Sequence, residues 1–296
     1  MPNGSAHDSL CLATLIACGN GLHHPAEAMP LTVVITGAAG NIGGKIRAHF
    51  VARGGYTLRL VDLDPRGDPE IIAADLGIFD ERWSSLFDGA DAVVHLAANP
   101  DPSAGWSDLL SSNVDAALNI YLAAARYGVK RVVLASSVWT MADRFHDEAP
   151  IHAGEPSPGT NPYGVAKMFG ERIGKAFARI HGISTVALRL GHCRPGLNEP
   201  SPAREAWEDA CWISNRDVCD GLERAIRADV HGFVMVNLTS ANPGSRWSLS
   251  EALENLGYEA ADGYLPPLRA AARQDTTATS VTPKKRLSVL ARLRAR

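Results

Sequence analysis

The stretch from residue 31 to 53 constrains this chain more than any other: an apolar run, LTVVIT, passes directly into GAAGNIG and then into a helical pattern. A short β-branched run of this kind reads as a buried strand. Glycines at 37, 40 and 43 let the backbone turn sharply, approach a phosphate without a Cβ in the way, and pack helix against strand. The free N–H groups and positive dipole end of the helix start then favour an anion. The arrangement predicts a dinucleotide pyrophosphate held by Gly37, Gly40, Asn41, Ile42 and Gly43. The plainer alternative, a glycine-rich turn without function, is disfavoured by the strand and helix on either side.

The same rhythm continues. YTLRLVD, EIIAAD, DAVVHLA, KRVVLASS, ISTVALRLG and HGFVMVNL read as further strands, with helical patterns between them at 106–127, 163–181 and in NRDVCDGLERAIRA. Alternating strands and helices imply a parallel sheet covered on both faces, because right-handed crossovers lay a helix over each strand pair. The fold class expected is α/β, a Rossmann-type doubly wound parallel sheet with a small C-terminal substrate-binding lobe. Asp62 closes the second strand, about 20 residues beyond the glycines, where an acid hydrogen-bonds a ribose 2′-hydroxyl. A carboxylate there repels a 2′-phosphate, so NAD is favoured over NADP, with Arg66 nearby tempering the preference. Asp62 reads otherwise as a turn aspartate in VDLDPRGD.

Composition narrows the function. With 296 residues, 46% hydrophobic and 21% charged, the chain is globular rather than disordered. A net charge of -3 provides no basic field for nucleic acid or anionic membrane, which leaves a small-molecule substrate. Five cysteines without a CxxC pair suggest neither disulfides nor a metal site, and a reducing cytoplasm fits. The apolar residues 10–18 lack a preceding Lys or Arg and are too short to span a bilayer. Residues 1–29 read as a flexible N-terminal extension, and a translation start at Met29 would remove nothing the argument uses. Residues 30–190 form the NAD-binding core with its catalytic helix, and 191–268 a small lobe interleaved with the last strands. Residues 269–296 form a basic tail whose end, KKRLSVLARLRAR, reads as a solvated terminus before it reads as an amphipathic helix.

Tyr163 and Lys167 form YxxxK in NPYGVAKMFGE, and a spacing of four puts both on one helix face. A free tyrosine is a poor base at neutral pH; a neighbouring ammonium and a nicotinamide cation stabilise its phenolate. Ser137, 26 residues earlier at the end of KRVVLASS, stands where a hydroxyl could orient the substrate oxygen, with Ser136 the near alternative. YxxxK alone is weak; joined to the glycines and the strand-end serines it becomes specific.

On these motifs residues 31–260 resemble the extended short-chain dehydrogenases/reductases, the NAD-dependent epimerase/dehydratase family. The resemblance implies that Asp75 and Leu76 hold the adenine, that the segment from His95 through Leu96, Ala97 and Ala98 lines the nicotinamide side, and that Asn113 supports the cofactor site. It also implies a homodimer through the two long helices. LRLGHCRP (188–195), CWISNRD (211–217) and SANPGSRW (240–247) resemble bacterial uronate dehydrogenases, which oxidise the cyclic hemiacetal of a hexuronic acid at C1 with NAD. Val138 and Trp139 stand where that subfamily has an Asn-His touching the sugar, and His192 where it has a small polar residue. A carboxylate-binding arginine falls to Arg194 or Arg204, of which Arg204 is preferred. Trp139 and Trp247 either wall a more apolar pocket or belong to the core.

The reading is an NAD-dependent dehydrogenase for a secondary alcohol or hemiacetal of a small sugar acid or related compound. Ser137 orients, Tyr163 transfers the proton and Lys167 tunes it; Val138, Trp139, His192 and Arg204 face the sugar. A sugar epimerase or dehydratase that retains NAD is the alternative, disfavoured because only about 80 residues follow the core strands. A non-catalytic NAD-binding regulator is the reading from another class, opposed by the intact Ser, Tyr and Lys set.

Overall fold

β-branched runs become strands and the glycine-bounded segments between them become helices throughout the computed structural model, which describes residues 29–201 and 205–265. Most of the N-terminal extension, Arg204 and the basic tail lie outside the described residues. In chain order the elements begin β1 (Leu31–Thr36), α1 (Asn41–Arg53), β2 (Tyr56–Asp62), β3 (Ile71–Ala73), α2 (Glu81–Ser84) and β4 (Ala92–His95). They continue with α3 (Trp106–Leu109), α4 (Ala116–Arg126), β5 (Arg131–Ser137), α5 (Pro162–His181) and β6 (Ser184–Leu190). The last are α6 (Ala206–Ala210), α7 (Asn215–Arg227), β7 (Phe233–Leu238) and α8 (Ser250–Leu256).

All seven strands pair in parallel in the order β3-β2-β1-β4-β5-β6-β7, so the expected doubly wound sheet is present. The direction of winding reverses between β1 and β4, and a crevice opens there beyond the strand C-termini. Alternation along each strand separates two cores. Val33 and Ile35 join residues of α1, α7 and α8 on one face, among them Ile46, Phe50, Leu222 and Leu256. Val34 and Val93 join Trp83, Ile120 and Tyr121 on the other.

The pattern at 106–127 does not form one helix. A π-helical turn, Leu110–Asp115, separates α3 from α4, with Asn113 buried in it. The Asn113 side chain bonds both backbone groups of Asn99: Oδ1 accepts from the N–H at 2.8 Å and Nδ2 donates to the carbonyl at 3.1 Å. A polar side chain held in this way wins over a regular helical register, and such bulges recur at functional sites. By contrast α5 runs unbroken for 20 residues. Asn161 caps it by accepting from the Gly164 N–H at 2.7 Å, Pro162 occupies its first turn, and Gly182 ends it with φ 67°. No described helix is long and apolar enough to cross a membrane.

Gly43 fixes the seat of α1 on β1. A Cβ there would lie 2.0 Å from the Gly37 carbonyl oxygen and 2.9 Å from the Ala38 Cα, both backbone atoms with nowhere to move. Gly43→Ala is expected to cost about 2–3 kcal/mol, read as an earlier midpoint in urea unfolding, with NAD affinity lowered in parallel. Wild-type values for both would refute this packing.

Candidate active site

A cleft of about 950 Å³ opens over the C-terminal ends of β1, β4, β5 and β6. Its cofactor arm begins at the β1–α1 turn. Gly37 has φ +71°, and a Cβ on it would stand 2.7 Å from the Ala97 N–H nitrogen, so only glycine lets this turn rest on the segment after β4. α1 starts at Gly40 with no side-chain cap, leaving its first N–H groups free for an anion. Asn41, Ile42 and Gly43 line the cleft beside them. Asp62 ends β2 with its carboxylate accepting from the Ala39 N–H at 2.9 Å, and Asp75 accepts from Gly77 N–H at 2.9 Å. Leu76, Leu96, Ala97 and Ala98 complete this arm. A glycine cradle that a Cβ would fill, open N–H groups and an acid at the end of β2 fit a dinucleotide carrying an unmodified ribose.

The other arm holds the hydroxyls. Ser137 ends β5, and Tyr163 and Lys167 come from the first turns of α5; all three line the cleft. Ser136 is committed elsewhere, donating to the Glu171 carboxylate at 2.6 Å, whereas Ser137 Oγ accepts from the Trp139 N–H at 3.2 Å and bonds the Tyr163 hydroxyl in the cleft. Lys167 Nζ donates to the Ala135 carbonyl at 2.9 Å and lies 5.8 Å from the Tyr163 ring centroid. Burial pushes the Tyr163 phenol above its ordinary pKa, with a hydrogen bond from Ser137 pulling the other way. Burial also brings the Lys167 ammonium down to about 8. The shift of Tyr163 is opposite to that expected from a neighbouring ammonium: desolvation dominates, and the Ser137 hydrogen bond is the opposing influence.

A model of the NAD dependent epimerase/dehydratase family matches residues 33–194. The chain belongs to that family. An L-arabinose 1-dehydrogenase (NAD(P)(+)) of Haloferax volcanii is 30% identical over 249 residues, covering 78% of this chain and 96% of its own. An NAD-dependent glucose-6-phosphate dehydrogenase of the same organism is 32% identical over 256 residues, covering 79% and 94%. Among solved structures, a mutated uronate dehydrogenase superposes with a TM-score of 0.69 at 32% identity over 79% of this chain and 83% of that one.

Within this NAD-dependent family member, two expected residues do not line the cleft. Asn113 does not line the cleft; its amide is consumed by the Asn99 backbone, and Asn99 takes the place at the wall. Arg194 turns to its own loop, donating to Ser201 Oγ at 2.5 Å and to the Ser201 carbonyl at 3.0 Å. Arg204 lies outside the described residues. Val138, Trp139 and His192 do line the cleft, whereas Trp247 is buried beyond Phe145, their ring centroids 6.1 Å apart. Desolvation first, then Arg194, hold the His192 imidazole below its usual range, with Glu208 acting oppositely. Sequence reasoning missed Trp207 and Glu208, which reach the cleft from the five-residue α6.

His95 sits beneath the site, fully enclosed, with Nδ1 2.8 Å from Thr36 Oγ1. Burial, and after it the Lys167 charge, lower its pKa to about 3. The folded state therefore keeps His95 neutral while the unfolded chain binds a proton below about pH 6.5. Stability is thus lost as pH falls from about 6.5 toward 3. The melting temperature should drop across that window, and His95→Gln should flatten the drop; an unchanged slope would remove His95 as its cause.

Proposed function

We propose that this chain oxidises a CH–OH group of a small sugar, a secondary alcohol or the hemiacetal of a sugar or sugar acid, with NAD as hydride acceptor, in the manner of uronate dehydrogenases. The observation that carries the reading is the convergence of Ser137, Tyr163 and Lys167 on one cleft with the glycine cradle and Asp62. Similarity to an arabinose, a glucose 6-phosphate and a uronate dehydrogenase supports a small sugar.

In this reading NAD, when bound, supplies the acceptor for the hydride leaving the substrate carbon. Ser137 donates a hydrogen bond to the substrate oxygen and aims its proton at the Tyr163 phenolic oxygen. Tyr163, as phenolate, takes that proton while the C–H electron pair departs, so the alcohol carbon becomes a carbonyl or a lactone. Lys167, anchored on the Ala135 carbonyl, holds a positive charge near the ring and stabilises the phenolate. Val138 and Trp139 close the sugar side against water. Because burial raises Tyr163, oxidation requires the proton to be driven off, and kcat/KM should climb as pH rises toward the phenol's range, less steeply above about 8 where Lys167 loses its charge.

The test is NADH formation with a panel of aldoses, uronates and polyols. Tyr163→Phe should lower turnover by about a thousandfold while NAD binding by calorimetry stays within about threefold. Full turnover in that variant would end the reading. A sugar epimerase would convert substrate without net NADH release. A homodimer through α4 and α5 is supported by the exposed apolar Leu122 and Ile180 on those helices, and light scattering should give twice the 31.5 kDa chain mass. A monomeric mass would rule it out.

A further inference from the structure

The sugar end of the cleft lies beyond β5 and β6. Ser137 pairs across the sheet with Leu190, and two residues further His192 reaches the cleft wall. α6 covers this end. The Trp207 ring stacks on Phe145 at 4.1 Å between centroids and meets Trp139 edge-on at 5.3 Å, so an aromatic corner faces the reactive hydroxyls. The next residue, Glu208, also lines the cleft, half-buried, and its carboxylate makes no hydrogen bond or ion pair within the described residues. A half-buried carboxylate whose neighbour of opposite tendency among the described residues is the His192 ring keeps oxygen lone pairs to accept from substrate hydroxyls.

Cations at this end are missing from the described lining. The Lys and Arg side chains there are Lys167, bonded to the Ala135 carbonyl, and Arg66, which follows β2 on the Asp62 side of the cleft. Arg194, the nearest arginine in sequence to His192, is spent on Ser201. A uronate carboxylate or a sugar phosphate entering here would face Glu208 in a partly desolvated space without a counter-charge among these residues, which is repulsive.

From the Glu208 carboxylate, which makes no hydrogen bond or ion pair within the described residues, and the Trp139–Trp207 corner we infer that the sugar oxidised is an uncharged aldose, and that Glu208 is the residue that selects it over uronates and sugar phosphates. This rests on the dehydrogenase reading above. Glu208 accepts from one or two ring hydroxyls while the apolar C–H face of the ring lies against Trp139 and Trp207.

The experiment compares L-arabinose and D-galactose with D-galacturonate and D-glucose 6-phosphate, in wild type and Glu208→Gln. With NAD, the wild type should show kcat/KM at least about tenfold higher for a neutral aldose than for galacturonate, and Glu208→Gln should shrink that ratio about tenfold by removing the charge and keeping an acceptor. A wild-type preference for galacturonate or for the phosphate, or a ratio unmoved in the variant, would overturn the inference. Binding is read separately by quenching of tryptophan fluorescence in wild type loaded with NADH, which cannot oxidise the sugar. If no sugar yields NADH, the dehydrogenase reading falls and the fluorescence ranking alone decides. Tighter neutral sugar upholds the role of Glu208, and tighter or equal galacturonate binding refutes it.

Discussion

Glu171 stands where β5, β6 and α5 meet, and the placement of the reactive hydroxyls hangs on it. It accepts from Ser136 Oγ at 2.6 Å and from Arg189 Nε and Nη2 at 2.9 and 3.1 Å, with both charged side chains almost wholly buried. Ser136 precedes Ser137 on β5, and Glu171 follows Lys167 by one helical turn and Tyr163 by two. One carboxylate thereby ties the strand that carries the serine to the helix that carries the phenol and the amine. A buried pair of this kind adds little net stability over an apolar replacement but is severe to break, because the surviving charge is stranded. Arg189 Nη1 has no hydrogen-bond partner among the described residues, so within them the pair is not even fully satisfied. Its evident contribution is position.

Closeness makes the tie possible. α5 meets the sheet and α4 through small residues, and at Gly174 a Cβ would come within 2.5 Å of the Tyr121 hydroxyl and 2.8 Å of Thr185 Cγ2. At Gly164 it would stand 2.5 Å from the Trp139 carbonyl oxygen, in the turn that leaves Ser137. A bulkier face would lift the helix and carry Tyr163 and Lys167 away from β5. Interiors are packed too densely to absorb such a shift locally. The placement of Tyr163 and Lys167 against β5 is thus set by what is absent from one helix face as much as by the side chains themselves.

The parts of this architecture that obey a period were legible in the sequence. Seven apolar runs became seven strands, and the glycine turn, Asp62 and the YxxxK pair stand on the elements their spacing implied. What escaped depends on contacts between distant residues. The helical pattern at 106–127 carries no mark of its π turn, which exists because Asn113 is drawn to a backbone segment 14 residues earlier. Arg189 did give a signal: a charge inside the buried run VALRLG must find a buried partner, and Glu171 on the next-but-one turn of α5 was in reach. α6 gave none, since five residues in a polar, proline-rich stretch have no periodicity to read. Trp207 and Glu208 therefore remained invisible until the chain was folded.

That division between periodic and irregular segments is also a division of chemistry. The cofactor arm and the proton-transfer set are held by β1, β2, β5, α1 and α5, elements whose packing tolerates little change. The far end of the cleft is lined by His192, Trp207 and Glu208 on the loop after β6 and on a short helix, where side chains can differ without disturbing the sheet. A scaffold arranged in this way keeps one reaction while its substrate varies. Burial disfavours the charged forms of both Tyr163 and Lys167. Family membership then fixes the chemistry more firmly than the substrate.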